Sequence, residues 1–219
     1  MKPSLVAKSL ETLIQIQQPV FVWGPAGAGK SRVVAQIAER IGYQMQDVRV
    51  ILLDPVDLRG LPVTKNGRSH WAPPSFLPAE GRGILFLDEL NAAPQLVQAS
   101  CYQLILDRAL GEYRLPDGWS IVAAGNRETD RAVVHRMPSP LANRFVHLEF
   151  EVDLDDWVAW ALNAGIQTEV IAFLRFRPAL LHSFDPRKND KAFPTPRAWE
   201  FVSRSEEHTS ELQSRFGTS

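Results

Sequence analysis

Short unbroken apolar runs alternate along this chain with longer stretches in which apolar residues recur every three or four positions. The first pattern predicts buried strands and the second amphipathic helices. Strands are expected at Val20 to Trp23, Val48 to Leu53, Ile84 to Leu87, Ser120 to Ala124 and Val146 to Phe150. Helices are expected at Ser4 to Gln17, Lys30 to Ile41, Pro94 to Ala109 and Ser139 to Asn143. Strand and helix in alternation imply an α/β domain with a largely parallel sheet over residues 1–150. Gly111 and Pro116-Asp117-Gly118 supply the turns before the fourth strand. From Asp153 onward the strands stop. Asp153 to Phe173 reads as helix, with Asp153 as its cap and Trp157, Val158, Ala161 and Leu162 on one face. A helical second domain is therefore expected over 151–203, and Pro178, Pro186, Pro194 and Pro196 break its later part into short pieces. No internal repeat is present.

Residues 204–219 read differently. The string Arg204-Ser-Glu-Glu-His-Thr-Ser-Glu-Leu-Gln-Ser214 resembles the in-frame translation of a sequencing-library adapter. That implies a non-native tail and a native chain that continues past Ser203, leaving the helical domain here truncated. Its polar composition also suits a disordered tail.

Charge narrows the field little. The chain has 24 Lys and Arg against 25 Asp and Glu, scattered, so no bulk attraction to nucleic acid or to an anionic membrane is encoded. Leu5, Val6, Leu10, Leu13 and Ile14 have helical spacing, unlike the unbroken apolar core of a signal peptide, and no later run is long enough to span a bilayer. The single cysteine, Cys101, excludes an internal disulfide and falls in a predicted helix. A cytoplasmic location is the resulting expectation.

Chemistry enters where the predicted strands end. Gly24-Pro25-Ala26-Gly27-Ala28-Gly29-Lys30-Ser31 follows a strand and opens a helix, the context in which a Gly, four residues, Gly-Lys-Ser pattern binds phosphate. Its glycines let consecutive backbone N–H groups face an anion, and the helix N-terminus adds partial positive charge. Lys30 would neutralise β- and γ-phosphates of ATP, and the Ser31 hydroxyl would be a Mg²⁺ ligand. Ile84 to Leu87 is a buried strand that ends in Asp88 and Glu89. Carboxylates there sit where open α/β sheets bind ligands. Asp88 suits the Mg²⁺ shell and Glu89 a general base on the attacking water. Ser120 to Gly125 ends in Asn126, whose amide can orient that water; an Asn ending a strand also serves as a plain turn former. His135, His147 and His182 lack metal-ligand spacing, and Cys101 reads as helix packing.

These elements in this order resemble the AAA+ superfamily of P-loop NTPases over Pro19 to Ser203. The resemblance implies that Asn126 occupies the sensor 1 position and that the helical domain is a small lid. Within AAA+, Leu52 to Gly60, Trp71 to Pro78 and Leu87 to Ala93 resemble the MoxR-like branch, which carries an inserted hairpin. Val63 to Trp71 suits that hairpin, with Asn66-Gly67 at its turn. It is either a pore loop that directs Lys65, Arg68, His70 and Trp71 at a partner, or an ordinary surface hairpin. Pro138 to Phe145 resembles the arginine-finger segment, which implies that Arg144 reaches a neighbour's γ-phosphate, with Arg131 and Arg136 as nearby alternatives. Thr195-Pro196-Arg197 resembles the sensor 2 helix start, with Arg197 reaching the same phosphate. The resemblance further implies a ring, most often a hexamer, that remodels a protein client, frequently with a von Willebrand factor A-domain partner. Two competing functions remain: a nucleic-acid-linked motor, disfavoured by the sparse cationic and aromatic residues, and a scaffold whose nucleotide only organises contacts.

Overall fold

The computed structural model describes residues 1–127, 135, 137–185 and 192–205. Its centre is a five-stranded parallel sheet. The strands are β1 (Val20–Trp23), β2 (Gln44–Arg49), β5 (Arg82–Asp88), β8 (Gly118–Gly125) and β9 (Val146–Glu149), in the order β2-β5-β8-β1-β9. Period-two alternation sends Val20, Val22, Ile84, Phe86, Val122 and Ala124 to one face of this sheet. There they pack on α1 (Pro3–Gln15) and α2 (Lys30–Ile41) through Val6, Leu10, Ile14, Val34 and Ile37. Phe21, Leu85, Leu87, Ile121 and Ala123 point the other way, onto Val97, Cys101 and Leu104 of α4 (Gln95–Asp107). Because both faces are covered, the strands read as continuous apolar runs, and the result is a three-layer P-loop α/β fold.

All five expected strands exist, but the second is displaced. The apolar run Val48 to Leu53 reads as a strand, yet the ladder with β5 runs over Gln44–Arg49 and the chain then makes a 3₁₀ turn at Val50–Leu52. At the sheet edge, backbone pairing carries Gln44, Gln46 and Asp47 despite their polarity, and Leu52 is left 73% exposed. The fourth expected helix, Ser139 to Asn143, is α5 (Ser139–Ala142). The helix expected to reach Ala109 stops at Asp107; Arg108 turns left-handed (φ 51°), and Ala109 enters a two-stranded pair, β6 (Ala109–Leu110) with β7 (Tyr113–Arg114).

The inserted hairpin is present as β3 (Leu61–Lys65) and β4 (Arg68–Ala72), turning at Asn66-Gly67. A short α3 (Pro55–Arg59) precedes it, closed by a reciprocal capping box between Asp54 and Asp57. The helical unit departs from the expected single helix over 153–173. It forms α6 (Leu154–Asn163), capped by the Asp153 carboxylate accepting from Asp156 N at 3.1 Å, and α7 (Thr168–Phe176). Gly165 separates them at φ +72°, so that Ile166 N donates back to Ala161 O at 3.0 Å. A last helix, α8 (196–205), packs Trp199 against the lid core of Trp157, Val158, Ala161 and Leu174. Among the described residues, no helix is long and apolar enough to cross a membrane.

Candidate functional site

Parallel pairing brings the C-terminal ends of β1, β5 and β8 to one edge of the sheet, so Gly24, Asp88 and Asn126 emerge side by side. Gly24 N donates to Gly125 O at 3.2 Å, which pins the start of the phosphate loop to the end of β8. The loop then curls through Gly27 and Gly29, at φ +72° and +100°, and α2 begins at Lys30. Lys30 is only 9% exposed. Its ammonium donates to Gly24 O at 2.7 Å, Pro25 O at 3.0 Å and Asn126 Oδ1 at 3.1 Å. A buried ammonium needs such partners, and here they join two of the predicted elements directly.

Asp88 is the last residue of β5 and Glu89 the first beyond it. Both are half-buried. Glu89 takes a left-handed conformation, φ 56°, and its N–H donates to Asp88 Oδ1 at 3.0 Å. Asp47 adds a third carboxylate at this edge. Burial pushes its carboxyl group above the ordinary value, and the negative charge of Asp88 pushes it further, against the pull of Arg49. The site therefore concentrates acidic oxygen beside a buried cation, an arrangement that can hold a polyphosphate with a hard divalent ion and polarise a water.

A cavity of about 630 Å³ opens beside the loop, bounded by Gly27, Gly29, Ser31, Asp156, Trp160 and Arg197 among others. It lies between α1, α2 and the lid helices α6 and α8, and its size is that of a small-ligand site. Arg197 is exposed and lines it. Thr195 caps α8 by accepting from Ala198 N at 3.0 Å, and the same side chain rests on the phosphate loop. A methyl group added at Gly27 would lie 3.0 Å from Thr195 Cβ and Oγ1. Sequence reading did not anticipate this lid-to-loop contact, because no local pattern encodes it.

Arg144 is not part of this constellation. It is exposed and precedes β9, whose first residue Val146 pairs with Val20. Its backbone oxygen accepts from Gln18 Nε2 at 3.4 Å, before β1 begins. It thus lies at the opposite edge of the sheet, at least the rise of β1 away from Gly24, roughly 13 Å. Arg131 and Arg136 lie outside the described residues. Burial pushes the Cys101 thiol up to about 12, so it stays protonated and is no nucleophile.

Among the described residues, no group of three His, Cys, Asp or Glu side chains could hold a metal ion by itself. The donor set nevertheless fits Mg²⁺, which keeps waters and shares phosphate oxygens, so one hydroxyl (Ser31) and one carboxylate (Asp88) are sufficient. Sequence reading missed Asn91. It is 2% exposed, and its Nδ2 donates to Asn126 O at 2.8 Å. The signal was an amide inside the otherwise apolar stretch Leu90 to Ala93.

The family model for the AAA domain of the dynein-related subfamily matches residues 19–145. The chain is 27% identical over 183 residues to Midasin of Giardia intestinalis, covering 77% of this chain and 4% of that protein. It is 31% identical over 142 residues to Protein NorQ of Paracoccus denitrificans (strain Pd 1222), covering 61% of this chain and 52% of that protein. The chain thus spans only part of each of these relatives. In fold it resembles NtrX from Brucella abortus in complex with ADP, with a TM-score of 0.57 at 18% identity over 96% of this chain and 49% of that one. It likewise resembles a mutant of Thermotoga maritima RuvB, with a TM-score of 0.57 at 18% identity over 92% of this chain and 58% of that one.

Proposed function

Because the chain belongs to the dynein-related AAA domain family, we propose that it binds Mg-ATP through Gly24 to Ser31 and hydrolyses it in a ring of identical subunits, as a chaperone-like remodelling ATPase of MoxR type. One observation carries the reading: the Lys30 ammonium is shared between the carbonyls of its own loop and Asn126 Oδ1. A cation already bridging the loop and β8 is placed to meet β- and γ-phosphate oxygens, with Asn126 beside it to orient the attacking water. Glu89 acts as general base on that water. Ser31 and Asp88 hold Mg²⁺, which when bound neutralises phosphate charge. Arg197, on the lid, senses the γ-phosphate from across the cavity.

Arg144 cannot serve its own site from the far edge of the sheet, so it acts on a neighbour's. This makes turnover depend on assembly. The protein partner meets the hairpin, where exposed Trp71 adjoins exposed Val56 and Leu96 on one face and Leu61 and Val63 are exposed on the other. A von Willebrand factor A-domain protein in the cytoplasm is the partner we propose, by analogy with MoxR-like proteins.

Two variants test this. Lys30→Ala abolishes ATP binding in calorimetry, while Arg144→Ala binds ATP but does not turn it over. Mixing them regains activity, because one subunit supplies the finger and the other the intact site. Unchanged affinity in Lys30→Ala, or no recovery on mixing, would contradict the site or the shared-finger reading respectively.

A further inference from the structure

We propose that Asn91 is a positioning residue for hydrolysis: its buried amide ties the turn that carries Glu89 to the strand end that carries Asn126. This rests on the proposed ATPase function and adds to it a residue that never touches the nucleotide. Asn91 sits in the 3₁₀ turn Leu90–Ala92, two residues after Glu89. Its Nδ2 donates to the Asn126 backbone carbonyl at 2.8 Å. That acceptor fixes which end of the amide points at Asn126, since a carbonyl can accept only from N–H. Asn126 is thereby gripped through its backbone by Asn91 and through its side chain by Lys30.

The fit on the other side of the amide is close. A Cβ at Gly125 would lie 2.1 Å from Asn91 Oδ1, so only glycine leaves room for the amide there. The turn is braced from below as well: Asn91 O accepts from His135 N at 2.7 Å, and buried Gln98 donates from Nε2 to Ala93 O at 2.9 Å. Among the described residues, Asn91 Oδ1 itself is buried without a hydrogen-bond partner. An apolar side chain would fill this space without that penalty, so packing alone does not account for an amide. Glu89, meanwhile, holds a left-handed conformation that a non-glycine residue adopts only when its surroundings enforce it. The Asn91 anchor supplies such enforcement and sets the separation between the general base and the water-orienting amide.

The test is a double-mutant cycle in the full chain, with Mg-ATP affinity by calorimetry and turnover by phosphate release. Asn91→Ala leaves affinity unchanged and lowers kcat about 10- to 100-fold, the cost expected when a reacting group is misplaced by about 1 Å. Asn126→Ala lowers kcat also, and the double variant is slower than either single variant but by less than the product of their losses, because Asn91 positions both Asn126 and, through the carbonyl that Asn126→Ala keeps, Glu89. Independent, multiplying losses in kcat would overturn the inference, as would a loss of affinity or melting temperature with kcat intact. If Asn126→Ala itself leaves kcat unchanged, the reading of the site fails, which is a separate result. Should Asn91→Ala not fold, Asn91→Leu removes the donor without emptying its space. It predicts the same fall in kcat at constant affinity, and unchanged kcat refutes the proposal.

Discussion

Gly27→Ala is the substitution for which the structure sets the size of the effect most clearly. Gly27 has φ +72°, and a left-handed alanine costs about 1–2 kcal/mol. The added methyl also meets Thr195 at 3.0 Å, within the range where a neighbour must yield by a few tenths of an ångström. If the lid stays in place, crowding of this kind adds about 1–3 kcal/mol. The lid can instead swing off the loop, so under the proposed function, in which nucleotide binds beneath the closed lid, the second cost falls on nucleotide binding. Calorimetry with Mg-ATP then shows affinity reduced about 5- to 150-fold. Gly42→Ala is the control: φ is +68° and a methyl there meets nothing within 4 Å, so it carries the conformational cost alone. It lowers the melting temperature without touching affinity. Thr195→Gly in the Gly27→Ala background restores binding, since glycine at a helix N-cap costs only a few tenths of a kcal/mol. Equal affinities for Gly27→Ala and Gly42→Ala, or no recovery with Thr195→Gly, would refute the idea that the lid closes on the phosphate loop through this contact.

Three further outcomes follow from the packing and titration of individual groups. The Asp153 carboxyl group is held below its ordinary value, first by the Asp156 N–H and then by Lys2. Asp153→Ala therefore costs about 1 kcal/mol at neutral pH. In melting curves the gap between variant and parent closes as pH falls below about 4 through the folded-state value; a gap that persists in acid would exclude the cap. Asp47 has the opposite sign. Its folded value is raised, so its ionisation opposes folding above that value, and Asp47→Asn is more stable than the parent at neutral pH, with the difference vanishing in acid. Cys101 is fully buried in α4, so a thiol reagent labels the folded chain at least about 10³-fold more slowly than the unfolded chain, and similar rates would contradict the packing of that helix.

The fold was legible wherever local pattern and tertiary environment agree. Strands covered on both faces must be apolar, and β1, β5 and β8 stand where their runs lie. At the sheet edge that rule lapses, and the polar ladder Gln44–Arg49 was hidden by the more apolar stretch after it. Asp153 was recognised as a cap, but Gly165 was not recognised as a break, because the apolar period resumes in α7 after only a short turn. The phosphate loop, Asp88, Glu89 and Asn126 were legible because each follows a strand end, and parallel strands bring those ends to one edge. Asn91, Gln98 and Thr195 were not. Asn91 and Thr195 meet partners distant in sequence, Asn126 O and Gly27, and Gln98 bonds back to Ala93 O in a spacing that matches no capping pattern.

Under the proposed function, the loop at Lys30, the carboxylates at 88 and 89 and the amide at 126 serve one triphosphate. Glu89→Gln measures it most directly, in a single preparation incubated with radiolabelled Mg-ATP and followed for both retention and cleavage. The variant is predicted to hold ATP with the parent's affinity while cleavage slows about 10²- to 10⁴-fold, the usual worth of a positioned base. Cleavage at the parent's rate would remove Glu89 from the chemistry, and failure of the parent itself to retain ATP would contradict the site as a whole.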